Sequence, residues 1–164
     1  MTHQELAEIY ERHRRALFAL ALSITRCPGR AEDAVHDAFA RLCRASGRIG
    51  GDRVAYVFSA VRNAAVDQVR RGGIEQDVRR AQDVLFDLGG IDPRQQAQDV
   101  ERDRLMAAAV EALPDDQREV VVLRIFAGLR FAQIAHITNA PLATVTTRYR
   151  RAMQRLRLKL ESMA

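Results

Sequence analysis

Residues 131–160, FAQIAHITNAPLATVTTRYRRAMQRLRLKL, restrict the possible folds more than any other stretch. They read as a short apolar helix, a tight turn at Thr138-Asn139-Ala140 and a long helix opened by Pro141. At about 100° per residue, Val145, Tyr149, Ala152, Leu156 and Leu160 fall on one narrow apolar stripe. Thr146, Thr147, Arg150 and Arg151 fall on the opposite side. One face can pack on a core while the other offers hydroxyls and guanidinium groups. Such a helix, entered through a turn from a shorter one, suits the major groove of duplex DNA.

The remaining sequence is compatible with an all-helical chain. Ala, Leu, Arg and acids dominate, Pro and Gly are few, and β-branched runs are short. The formal charge is +5, a modest bias toward a polyanionic partner. Its distribution says more. Residues 141–164 carry Arg148, Arg150, Arg151, Arg155, Arg157 and Lys159 against the single acid Glu161. Residues 75–104 reverse the sign, and residues 1–74 are again rich in arginine. Two basic blocks around an acidic middle suggest two contact modules and a connector.

Helical periodicity recurs over residues 4–25, from about 30 or 31 to 45, and over 53–71. In the third, Val54, Val57, Phe58, Val61, Ala65 and Val69 are expected to face inward. Cys27-Pro28-Gly29 separates the first two, and the Gly-rich loop at 46–52 separates the next two. Residues 74–100 read as a linker, with one short amphipathic piece around Val84 to Leu88. Helix resumes near Val100, with Leu105, Met106, Ala109 and Val110 apolar, and restarts after Pro114. The expected layout is about seven helices in two domains, each with its own core. Residues 1–73 would form a three-helix bundle, 74–100 a flexible linker and 101–164 a helix-turn-helix domain.

Catalytic patterns are absent from the sequence. It has no Gly-rich phosphate loop, HExxH or GxSxG, and His3, His13, His36 and His136 are scattered. Asp33 and Asp37 lie one turn apart, which by itself reads as a solvated helix face rather than an acid–base pair. Neither a metal nor a cofactor is expected. The two cysteines, Cys27 and Cys43, match no zinc spacing and are expected to be plain buried or half-buried thiols in a reducing cytosol. The first 16 residues are too charged for a secretory signal, and no apolar run is long enough to span a membrane. The expected setting is therefore cytoplasmic.

Two longer stretches carry a resemblance. LPDDQREVVVLRIFAGLRFAQIAHITNAPLATVTTRYRRAMQRLRLKL resembles the domain of bacterial sigma factors that binds the promoter −35 element, in the extracytoplasmic-function (ECF) group of the sigma-70 family. AEDAVHDAFARLCRA followed by AYVFSAVRNAAVDQVRRG resembles their other domain, which binds RNA polymerase and the −10 element. Order, spacing and acidic connector agree, so the resemblance covers nearly the whole chain.

The resemblance implies roles for particular residues. Asp33, His36, Asp37 and Phe39 would dock on the clamp helices of the polymerase β′ subunit, although Phe39 also suits a core. The loop at 46–53, ending in Arg53, would capture a flipped −10 base. Arg62, Asn63, Arg70 and Arg71 would lie along the single strand, with Asn63 at a base edge; Asn63 also suits a purely structural role. Thr146, Thr147, Arg150 and Arg151 would face −35 bases, and Arg148 a backbone phosphate. Implied partners are core polymerase through the β′ clamp helices and the β flap, promoter DNA, and an anti-sigma factor, with the free chain monomeric. The sequence departs from the family's usual residues at Tyr56 and Cys43, where Trp is common, at His36, where Gln is usual, and at Thr146, where a cation is usual. The last change would alter −35 affinity or preference. Two rivals remain open at this point: a dimeric helix-turn-helix regulator acting without polymerase, and a protein-binding adaptor whose arginines are only solvated.

Overall fold

The computed structural model describes residues 1–45, 47–72, 78–88 and 97–162. Helix α1, His3–Thr25, starts with a capping box. The Glu5 amide donates to Thr2 Oγ1 at 3.1 Å, and the Thr2 amide donates to Glu5 Oε2 at 2.8 Å. It ends at Arg26, whose left-handed backbone (φ 53°) closes the last turn. Helix α2, Pro28–Arg44, begins at Pro28 rather than at residue 30 or 31, because a proline at the first helical position sacrifices no hydrogen bond. Helix α3, Arg53–Arg71, is capped by Asp52, whose Oδ1 accepts from the Ala55 amide at 3.0 Å. That amide bond is the main reason the Asp52 carboxyl sits below its ordinary pKa.

Helices α1, α2 and α3 pack on one another as the expected three-helix bundle. Leu17, Leu20, Ala31, Ala34, Val57, Phe58 and Val61 are buried between them, while Val69 is exposed, contrary to the inward position expected for it. It lies on the last turn of α3, beyond the reach of the bundle. His13 sets its ring edge-on to Phe58 at 5.6 Å. Burial, then the nearby Arg12, lowers its pKa from 6.5. The native state therefore favours neutral His13. Its contribution to stability is complete above the unfolded pKa and shrinks as pH falls below it. Thermal melts between pH 7.5 and 5 should show a loss of stability that is smaller in His13→Gln; equal losses would contradict this.

The second group begins with α4, Val78–Leu88, and α5, Ala97–Glu111. Helix α4 lies within the stretch read as linker and extends beyond the short piece foreseen there, whereas residues 73–77 and 89–96 lie outside the description. Leu85 and Phe86 of α4 are buried with Ala107, Val110 and Leu113, and with Ala152 and Leu156 further along the chain. Met106 is partly exposed, and Ala107 takes the inner position instead. Helix α6, Asp115–Val121, runs into a π-helical turn, Val122–Phe126. There the Ala127 amide reaches the Val122 carbonyl at 3.1 Å, an extra residue per turn that is absent from the sequence reading. Gly128, at φ 66°, then allows the sharp exit. Helices α7, Phe131–Thr138, and α8, Leu142–Ser162, complete the chain.

All elements among the described residues are helical, as expected, in the two expected groups. The groups do not enclose separate cores, however. One apolar cluster runs from Leu17, Phe58 and Val61 of the first to Val120, Leu123, Ile134 and Val145 of the second. Helix α3 packs on α7, and α1 packs on α6 and the π turn. The apolar residues that close this seam sit on stripes that also serve each group internally. Periodicity alone therefore cannot separate intramodule from intermodule burial.

Both cysteines are free; Cys27 is half-buried as expected, but Cys43 is exposed. Among the described residues, no helix is long and apolar enough to cross a membrane, and no group of three or more His, Cys, Asp or Glu side chains could hold a metal ion.

Candidate nucleic-acid interface

The pair α7–α8 is built around a left-handed residue. Asn139, at φ 52° and ψ 45°, ends α7, a conformation that asparagine tolerates better than most residues. Phe131 of α7 meets Tyr149 of α8 edge-to-face at 5.2 Å. Arg124, from the π turn, lies over the Phe131 ring at 4.5 Å and donates to the Leu129 carbonyl at 2.9 Å. These contacts fix how α8 projects.

The apolar stripe of α8 is inward as the sequence requires. Val145, Ala152 and Leu156 are buried, and Tyr149 and Leu160 are half-buried. Across the helix, Thr146, Arg150 and Arg151 are exposed, while Thr147 and Arg148 are half-covered. The Thr146 hydroxyl donates to the Ala143 carbonyl at 3.0 Å, leaving its oxygen lone pairs outward. Arg148 lies 3.4 Å from Asp116 of α6, so a phosphate at Arg148 would compete with that carboxylate. Exposed Arg150 and Arg151 therefore form the accessible cationic surface of this face, with Arg155, Arg157 and Lys159 continuing along the helix. Arg157 is paired with Glu161 at 3.0 Å.

The residues assigned to the single strand share α3 but differ in access. Asn63, Arg70 and Arg71 are exposed. Arg53 is exposed and forms an ion pair with Glu5 of α1. Arg62 is half-buried and forms an ion pair with Glu119 of α6, in the other half of the chain. Of the loop that precedes them, Ser46 lies outside the description; Gly51 adopts φ 84°. On α2, Asp33 and His36 are exposed, and Asp37 is half-exposed. Phe39 is half-buried against the core and edge-on to Tyr10 at 5.1 Å, which unites the two readings of that residue. Asp33, His36 and Phe39 all line a groove of about 850 Å³ with Leu6, Tyr10 and Phe18 of α1.

Sequence reasoning missed a buried polar cluster at the seam. Arg118 is 1% exposed. Its guanidinium donates to the carbonyls of Ser23 at 3.1 Å and Leu113 at 2.7 Å, and to Asp115 Oδ1 at 2.6 Å. Buried Glu111 accepts from Arg26 Nε at 2.7 Å. Separately, on the exposed side at the start of α3, Asp52 accepts from Gln133 Nε2 at 2.7 Å and lies 3.7 Å from Arg130. No local pattern marks the contacts of Arg118 with Ser23, Arg26 with Glu111 or Gln133 with Asp52, because the partners are distant in sequence.

Comparison with known proteins agrees with this arrangement. Residues 9–73 match the family described as sigma-70 region 2, and residues 103–156 match sigma-70 region 4. The chain is 26% identical over 162 residues to the ECF RNA polymerase sigma factor SigK of Mycolicibacterium vanbaalenii, covering 94% of this chain and 81% of that protein. It is 25% identical over 164 residues to SigK of Mycobacterium tuberculosis, covering 92% and 83% respectively. Among solved structures, it resembles the sigma factor RpoE of Bartonella quintana, crystallised with the anti-sigma factor NepR. The TM-score is 0.67 at 25% identity, with 96% of this chain and 95% of that one covered. CnrH, solved with the cytosolic domain of CnrY, shares the fold at a TM-score of 0.68 and 20% identity, covering 99% and 92%. With region 2 and region 4 matched in order along one chain, and ECF sigma factors as its relatives throughout, the protein belongs to the ECF group of the sigma-70 family.

Proposed function

We propose that this chain is a promoter-specificity subunit of bacterial RNA polymerase, directing initiation by recognising −10 and −35 elements. The observation that carries this reading is the presence, on one chain, of a region 2 bundle and a region 4 helix-turn-helix whose Thr/Arg face is open to solvent. A dimeric regulator would need only the second of these, so the region 2 match counts against it.

In this reading Asp33, His36, Asp37 and Phe39 meet the β′ clamp helices. The exposed acids present charge, and the half-buried ring presents an apolar edge at the groove rim. Arg53, Arg62, Asn63, Arg70 and Arg71 follow the unpaired −10 strand, arginines on phosphates and Asn63 on a base edge. Thr146, Thr147, Arg150 and Arg151 read the −35 duplex in the major groove, with Arg148 on its backbone. Opening is favoured because the bundle binds unpaired bases in preference to paired ones. No chemical step is assigned to the chain, no metal or cofactor enters, and a cytoplasmic setting follows from the partner. An anti-sigma factor fits as its silencer, as the similar RpoE is crystallised with the anti-sigma factor NepR.

The experiment is a pair of separable defects. Asp33→Arg should lower affinity for core polymerase by about tenfold or more, by reversing a charge at the docking face. It should leave the weak duplex affinity of α8 unchanged. Retention of polymerase binding by this variant, in a pull-down with core enzyme, would contradict the docking assignment.

A further inference from the structure

Thr146 has a fixed hydrogen-bonding polarity on the exposed face of α8. Its hydroxyl donates to the Ala143 carbonyl at 3.0 Å, one turn back along the same helix. A threonine hydroxyl has a single proton, so an oxygen with its lone pairs and the γ-methyl are what it offers outward. The side chain is exposed, as are Ala143 before it and Arg150 one turn after it. Ala143 is too small to stand between Thr146 and a groove floor. Arg148, the next cation, is drawn to Asp116 at 3.4 Å. The groups that meet DNA at this end of the helix are therefore short and uncharged.

The four bases present unlike edges to such a group. In the major groove adenine offers the N6 amino donor and cytosine the N4 amino donor, whereas guanine presents N7 and O6 and thymine presents O4, all acceptors. An oxygen whose proton is committed to Ala143 gains a hydrogen bond from adenine or cytosine. Against guanine or thymine it sets acceptor on acceptor, and relief requires breaking the bond inside the helix. A guanidinium has the reverse polarity, five donors and no acceptor, so Arg150 and Arg151 favour guanine.

We propose that Thr146 makes this chain select one −35 base by its amino character, accepting adenine or cytosine and rejecting guanine and thymine, beside guanine contacts made by Arg150 and Arg151. The reading face of α8 is then divided, with an acceptor toward its N-terminal end and donors one turn further on. This inference rests on the assignment of α8 to −35 DNA and adds what that helix selects.

The test starts from a promoter mapped with the full chain and core polymerase. Its −35 region is randomised, each template carries a tag in its transcribed part, and transcripts are counted by tag. At one position the native chain should favour adenine or cytosine over guanine or thymine by about two- to tenfold, the scale of one net hydrogen bond. Thr146→Val keeps the shape of the side chain and removes the acceptor. It should abolish that preference, admit thymine through methyl contact and leave the other positions as they were. Thr146→Arg should turn the same position toward guanine. A native preference for guanine or thymine at the position that Thr146→Val alters, or an equal change at every position, would overturn the proposal. Starts that depend on the −35 sequence but are untouched by Thr146→Val would sink this inference alone. Absence of any promoter-specific start with the native chain would sink the assignment of function and this inference with it.

Discussion

Arg151→Ala is expected to reduce transcription from promoters with a −35 element by about 5- to 150-fold, while affinity for core polymerase stays unchanged. The magnitude follows from about 1–3 kcal/mol of discrimination per good groove contact. The separation of effects follows from position. Arg151 is exposed on α8, opposite the stripe of Val145, Ala152 and Leu156, and among the described residues no ion pair holds it back. Removing it should therefore not unfold the domain or disturb α2, where polymerase docking is assigned. Run-off transcription on a −35-dependent template, with core binding measured in parallel, distinguishes the outcomes. Equal loss in both would place Arg151 in the fold rather than on the DNA.

The largest effect on stability is expected at Arg118. Its guanidinium, 1% exposed, satisfies the Ser23 and Leu113 carbonyls and is balanced by Asp115, with buried Glu111 close by. Burial presses its pKa downward, and the Glu111 charge opposes that shift. Arg118→Ala leaves the carbonyls without a donor, Glu111 with less positive charge nearby, and a cavity at the seam. A cost of about 3–5 kcal/mol is expected, by analogy with breaking buried charge networks. For a chain of this length that corresponds to a fall in melting temperature of roughly 6–20 °C. Thermal unfolding followed by circular dichroism checks it. A shift within about 2 °C would mean that water replaces the guanidinium without loss.

These two residues illustrate what the sequence could convey. The α8 face was legible because it is written in local spacing: one stripe and one opposed set of polar groups within a single helix. The turn was legible because Asn139 and Pro141 each have a specific backbone reason to be there. The same holds for the three-helix bundle, whose apolar positions repeat at helical intervals. Arg118 was not legible, since an arginine amid LPDDQREVV looks like any solvated cation until Ser23 is brought to it.

The seam was obscured for a related reason. Leu17, Phe58, Val120 and Ile134 each satisfy their own helix's pattern, and nothing in that pattern states which helix lies opposite. The π turn at Val122–Phe126 escaped because one extra residue in a turn alters spacing less than ordinary variation does. Val69 is expected inward by periodicity and is exposed, because it lies on the last turn of α3, past the neighbours available to cover it. The residues at the proposed strand site came from family resemblance. What the structure adds is their state: Asn63, Arg70 and Arg71 are accessible, and Arg62 is engaged by Glu119.

The central claim is that this chain tells RNA polymerase where to start. Purified chain should be added to core enzyme on fragmented genomic DNA of the source organism, and the 5′ ends of the transcripts mapped. Discrete new starts preceded by a shared pair of elements, lost when Arg151→Ala replaces the native chain, are the expected result. Transcripts indistinguishable from those of core enzyme alone would contradict it.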